Sequence, residues 1–150
     1  MTRSPLDAMR QHSREEFQTW LANEVEVREE LEPLVGQALG IDIESLGPLE
    51  AFALGRWRKP DDALQLAERA VLDAVARHVG LVLLLAVDGA WDIELDDADD
   101  AYFELPVVVL PDESHECPLS LVLAALDRRT GAYLQGVVGN LAEDVGDDEA

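Results

Sequence analysis

Lysine is almost missing from this chain. Lys59 is the one example, and Lys and Arg together number 11 against 32 Asp and Glu, a formal net charge of -21. A surface of that sign repels nucleic-acid phosphates and anionic membrane head groups, so neither is expected as a partner. It attracts basic proteins and divalent cations, and it also keeps a protein soluble with no partner at all. A salt-rich habitat or a GC-rich genome gives the same preference for Arg over Lys, so the count alone names no function.

Cysteine is scarce too. Cys117 stands alone, which excludes an internal disulfide and makes a reducing, cytoplasmic setting the expectation. Long apolar runs are lacking. The longest covers residues 81–87, against the roughly 20 residues a membrane helix requires. The opening stretch MTRSPLDAMRQHSREE contains no apolar block of the signal-peptide kind. No cofactor is expected, because no phosphate-cradling glycine loop, nucleophile elbow or paired-carboxylate motif is present.

What is present suits one domain: 150 residues, 48% of them hydrophobic, enough to bury a real core. Residues 1–143 are expected to form a single α+β domain, with 144–150 as a mobile acidic tail. The acids are unevenly spread. Residues 1–87 hold 15 acids and 9 bases, whereas residues 88–150 hold 17 acids and 2 bases.

Ser4-Pro5 offers a first helix start, and Ser13-Arg14-Glu15-Glu16 a second, of capping-box form. Apolar residues from Phe17 to Ala38 then recur at intervals of mostly three and four, with Pro33 inside the pattern and Gly40 at its end. A short helix with Leu46, Leu49, Phe52 and Leu54 follows caps at 42–45. RWRKPDD reads as a loop, with Asp61 or Asp62 capping the next helix. There Leu64, Ala67, Val71, Ala74, Val75 and His78 form one stripe. Arg69, Asp73 and Arg77, four residues apart, are placed as surface ion pairs worth about 0.2–0.5 kcal/mol each.

LVLLLAV, residues 81–87, presents a choice. If Gly80 caps the helix, the run is a strand and Asp88-Gly89 a hairpin turn. If the helix continues, Gly80 sits inside it at a cost of about 1 kcal/mol and Gly89 is the cap. The run is leucine-rich, does not alternate, and carries on the earlier stripe through Val82 and Leu85, so a long central helix is expected. AWDIEL alternates cleanly and reads as a half-buried strand, DDADDA as a turn, and residues 102–110 as a second strand bent at Pro106. Residues 111–117 read as a loop. Pro118 opens a helix that closes near Arg128, Arg129 and Gly131, and Tyr133 to Leu141 shows helical spacing again.

The stretches SLGPLEAF, VARHVG, DGAW, YFELPVVV and CPLSLVLAALDRRTG resemble a group of small uncharacterised bacterial proteins over about residues 42–140. The resemblance implies a long helix stepping through glycine and tryptophan into a short antiparallel sheet, then another helix. Where that group carries a glutamate after the helix glycine, this chain has Leu81. The matching motifs are structural and bring no catalytic residue with them. Small acidic proteins of similar build include immunity proteins that block a toxin.

Candidate chemistry is sparse. Asp96, Asp97, Asp99 and Asp100 lack the spacing of a calcium loop, which needs acids at alternate positions, a glycine and a distal glutamate. A solvated turn is the plain reading; a contact patch for a basic protein, enlarged by Asp92 and Glu94, is the functional one. Cys117 lies at a helix N-terminus near His115, where the dipole favours a thiolate, but no third group orients the pair. His12, His78 and His115 show no metal-ligand spacing, and His78 falls on the apolar stripe. Trp57, set among Arg56, Arg58 and Lys59, has the composition of an interface anchor or of an ordinary loop. The leading expectation is a non-enzymatic acidic interaction protein, immunity-like or inhibitory. The alternative is a metal-dependent or thiol-based enzyme using the 96–100 turn or Cys117 with His115.

Overall fold

In a computed structural model of the chain, residues 5–149 are described. Among these residues seven α-helices and three short strands make an α+β fold in which the helices dominate. A 3-10 turn, Pro5–Met9, leads to α1 (Arg14–Ala22) and α2 (Glu24–Val35). The expected start at Ser4-Pro5 therefore gives a tight turn at Pro5, and Ser4 lies outside the described residues. Ser13 does cap α1: its hydroxyl accepts from the Glu16 N–H at 3.1 Å. Glu16 reaches back to the N–H of His12, one residue earlier than a standard capping box. Pro33 stays inside α2, and Gly36, at φ 89°, ends the helix, four residues before the expected Gly40.

Asp42 accepts from the Ser45 N–H at 3.1 Å and so caps a second 3-10 turn, Ile43–Ser45, which runs into α3 (Leu46–Arg56). After α4 (Pro60–Ala63) the expected helix does not continue. Gln65 is extended (ψ 145°), Leu66 is 79% exposed, and a further 3-10 turn, Leu66–Glu68, intervenes. Arg69 captures the Leu64 carbonyl at 3.1 Å as the chain re-enters helix.

α5 (Arg69–Val87) is then unbroken through Gly80, as the leucine-rich run requires. It is the core element, packed against α2, α6 (Pro118–Arg128) and α7 (Tyr133–Glu149). Leu72, Val75, Val79, Val82 and Leu83 are all within 1% of full burial. Each such side chain contributes about 1.5–3 kcal/mol of hydrophobic burial. Residues Leu66–Val87 are long and apolar enough to cross a bilayer by length and composition, but 61% of the most apolar 18-residue window within them is buried inside this protein. Its exit corrects one expectation. Asp88 takes the left-handed cap (φ 56°), a conformation a short polar side chain tolerates. Gly89 is needed for space, since a β-carbon there would lie 2.8 Å from the Val109 carbonyl oxygen.

The sheet is antiparallel in the order β1 (Ala90–Asp92), β2 (Val107–Val109), β3 (His115–Glu116). Trp91 pairs with Val108, and Val108 with Glu116. Both expected strands are longer than those formed, and the supposed loop at 111–117 supplies the third. α7 continues to Glu149, so the stretch 144–150 predicted as a separate tail is helical up to that residue. Leu141 and Val145 extend its apolar face against the core. The N-terminus of α7 is held by Glu50, fully buried on α3, which accepts from the N–H groups of Tyr133 (3.2 Å) and Leu134 (2.7 Å).

Candidate functional site

The acid-rich ribbon runs from Asp88 to Glu104, between the end of α5 and β2. Several of its acids fold the ribbon itself. Glu94 accepts from the N–H groups of Asp96 (2.9 Å) and Asp97 (3.3 Å), Asp97 from that of Asp99 (3.0 Å), and Asp100 from that of Tyr102 (2.8 Å). Short acidic side chains hold tight turns in this way because they replace a backbone acceptor. Asp92, Asp96, Asp97 and Asp99 are exposed, and Glu94 and Asp100 half-buried. Of the sequence-predicted residues these six do lie on one ribbon. Among the described residues no group of three or more His, Cys, Asp and Glu side chains is arranged to hold a metal ion.

The N-terminal segment is clasped to this ribbon. Gln11 donates its N–H to the Glu104 carbonyl at 2.8 Å, and the Arg10 guanidinium donates to the carbonyl of Phe103. His12 Nδ1 meets Glu104 Oε2 at 3.1 Å. Between segment and ribbon lies a cleft of about 350 Å³, whose polar lining is Asp7, Arg10, His12, Asp100 and Glu104. Glu104 closes the ribbon in a left-handed conformation, φ 63°.

Trp57 does not belong to this surface. It is 1% exposed, and its indole N–H donates to Glu68 Oε1 at 2.7 Å. The same carboxylate takes Arg56 Nε at 2.6 Å. The Arg56 hydrogen bond, joined by that of Trp57, holds the Glu68 carboxyl below its usual range against the opposing effect of burial. The exposed loop expected around Trp57 is in fact pinned from above by Arg129, whose guanidinium donates to the carbonyls of Leu54, Trp57 and Arg58 at 2.8–2.9 Å.

Nor do Cys117 and His115 form a reactive pair. Cys117 is 1% exposed, and burial pushes its thiol up despite hydrogen bonding from Ser120 and Leu119. His115 is exposed on β3. His78 is a core residue, as its stripe position implied. Ser45 Oγ spends its proton on the Asp42 carbonyl (2.7 Å), so His78 Nε2, 3.0 Å away, is the donor between them. Nδ1 makes no hydrogen bond of ordinary geometry. Burial, assisted by the charge of Arg28, lowers the pKa of the ring.

The second feature of note was not foreseen. Trp20 of α1 sits edge-on to Trp91 (centroids 4.9 Å apart) and beneath the Arg77 guanidinium, 4.1 Å from its ring centroid. Its indole donates to Asp73 at 2.9 Å, and Arg77 donates to the same carboxylate at 2.7 Å and to the Trp20 carbonyl. Arg77 was expected on the surface but its side chain is 8% exposed. The signal available in sequence was Gly80 mid-helix, which makes room for an aromatic ring.

Most of the other described arginines are also committed. Arg10 pairs with Asp7, Arg14 with Asp92, Arg28 with Glu24 and Arg56 with Glu68, Arg69 and Arg129 hold backbone carbonyls, and Arg128 covers Tyr133. Among the described residues, Arg58 and Lys59 are the only Lys or Arg side chains with no hydrogen bond, ion pair or ring contact. Comparison of the chain with family models, curated proteins and solved structures finds no match.

Proposed function

We propose that this protein is an acidic interaction module that binds a basic protein through the 88–104 ribbon, with an inhibitory, immunity-like role as its most specific form. The observation that carries the reading is the uneven use of charge. Nearly every described arginine is consumed within the fold, while Asp96, Asp97 and Asp99 face solvent on a ribbon held by its own hydrogen bonds and Asp92 meets only the exposed Arg14 at 3.5 Å. An ordered array of like charges costs less to bring onto a partner than a loose one, because its shape is set before contact. Its field also speeds encounter with a cationic surface.

The test is a pull-down from native lysate at about 0.01 M and about 0.15 M salt, with wild-type protein beside a variant carrying Asp92→Asn, Asp96→Asn and Asp99→Asn. A basic protein retained by the wild type and lost by the variant is the expected result. Recovery of no basic protein at either salt overturns the proposal.

A further inference from the structure

Among the described residues, the ribbon's Asp92 and Glu104 are the two of its acids that meet a basic side chain, and both partners come from one short segment. Residues 8–14, AMRQHSR, hold Arg10, His12 and Arg14 and no acid, in a chain of net charge -21. Arg14 reaches Asp92 at 3.5 Å, His12 Nδ1 reaches Glu104 at 3.1 Å, and Arg10 donates to the Phe103 carbonyl. This segment therefore sets against the ribbon the same groups that a basic protein would bring. Its seat is shallow. Residues 10–12 have no regular structure, both side chains of the Arg14–Asp92 pair are more than half exposed, and the His12 ring is 63% exposed. Solvated pairs of this kind hold weakly. The 350 Å³ cleft remains beside them, where a close-packed contact would leave no such space. The flanks are held firmly, with Leu6 and Met9 packed on the core and Phe17 buried. Residues 10–14 can thus lift while their flanks stay in place.

We infer that residues 10–14 are a built-in competitor on the acidic ribbon, seated there in the free protein and displaced by the clustered arginines or lysines of a basic partner. The inference rests on the proposed acidic-module reading and adds its regulation. Because the strap is tethered at both ends, it competes at a high and fixed local concentration. A partner therefore binds with its intrinsic affinity reduced by the fraction of molecules whose strap is lifted. A lone cation gains too little to lift it, whereas a cluster replaces Arg10, His12 and Arg14 together, so the strap selects for dense positive charge.

The experiment titrates the full chain with hexa-arginine at about 0.01 M salt and follows amide hydrogen exchange by NMR. The reporter is the Gln11 N–H, which donates to the Glu104 carbonyl at 2.8 Å; the control is the Trp57 N–H, bonded to the Ala53 carbonyl at 2.9 Å. At saturation Gln11 is expected to exchange at least about tenfold faster than in the free protein, with Trp57 unchanged. Gln11 protection that stays the same or rises overturns the competitor and leaves the acidic module standing. No binding of hexa-arginine at this salt removes both. Affinity supplies a second reading. A variant with Arg10→Gln and Arg14→Gln should bind hexa-arginine at least about threefold tighter than one with Arg58→Gln and Lys59→Gln, which removes the same charge from side chains without partners. Equal affinities of the two variants overturn the inference, and the exchange reading in wild-type protein decides it if the Arg10→Gln, Arg14→Gln variant fails to fold.

Discussion

The indole of Trp91 rests directly on Gly80. A β-carbon at residue 80 would come within 2.0 Å of Cη2 and 2.4 Å of Cζ2 of that ring, and within 3.0 Å of Pro118. Gly80→Ala would gain about 1 kcal/mol in helix propensity but must displace the ring, at a typical overpacking cost of about 1–3 kcal/mol. Because Trp91 also leans on Trp20, the ring has little freedom to yield. A lower urea midpoint is expected for Gly80→Ala. Gly136, helical and with nothing within 4 Å of its would-be β-carbon, should respond oppositely, Gly136→Ala gaining about 0.5–1 kcal/mol. A Gly80→Ala protein as stable as the wild type would refute this picture of the contact.

Asp73 and Arg77 supply a second contrast. Asp73→Ala strands a guanidinium whose side chain is 8% exposed and removes the acceptor of the Trp20 indole. The expected cost is about 3 kcal/mol, near the low end for a buried pair because Asp73 keeps part of its surface in water. Arg14→Ala breaks an exposed contact of 3.5 Å to Asp92 and should cost no more than about 1 kcal/mol. Equilibrium unfolding of the two variants ranks them, and similar losses would show that Arg77 is not desolvated as described.

His78 links stability to pH with a defined sign. Its native pKa is lowered from the ordinary 6.5, chiefly by burial, so the unfolded chain holds the proton more tightly. The histidine's contribution is therefore complete above the unfolded value and drains away as pH falls through the native one. His78→Gln retains a donor toward Ser45 and cannot titrate, so it serves as the reference against which the chain's many carboxylates cancel. The difference in unfolding free energy between wild type and His78→Gln should be flat above pH about 7 and decline below about 6.5. A difference that stays constant down to pH about 5 would show that the ring is not held neutral.

Cys117 should be kinetically silent. Its sulfur is buried and its thiol pushed up, so alkylation requires the protein to open. Modification of native protein at mildly alkaline pH is expected to be slower than in denaturant by at least about a thousandfold, tracking the opening equilibrium. Rapid native labelling would place the thiol at the surface.

Sequence periodicity carried the helices well where one face met the core. The leucine-rich run at 81–87 became the end of α5 because it continued the stripe of Val71 and Val75, and a strand would have needed alternation. Ser13 and Asp42 behaved as caps because capping is a local interaction of a few residues. What escaped was set by partners distant in sequence. Trp57 sits in an Arg- and Lys-rich loop, and nothing local reveals that Glu68 and Arg129 draw it inward. Glu50 looks like a surface acid until α7 presents its N-terminus. β3 has two residues, too few for any pattern, and exists because β2 offers it an edge. The candidate acids were legible as a cluster, but the division between those that hold the ribbon and those that face water depends on turn geometry.

The clasp between Gln11 and Glu104 ties together positions more than ninety residues apart, and it orders events in time. Residues 5–23 leave the ribosome well before 91–104, yet Trp20 has no Trp91 to lean on, and Arg10 no Phe103 carbonyl to hold, until the later stretch is in place. Closing so long a loop carries an entropic cost that only a formed core repays. The segment synthesised early is thus among the last to find its seat. In the finished molecule it is the natural first piece to peel away, so a protease should report on this end of the protein before any other.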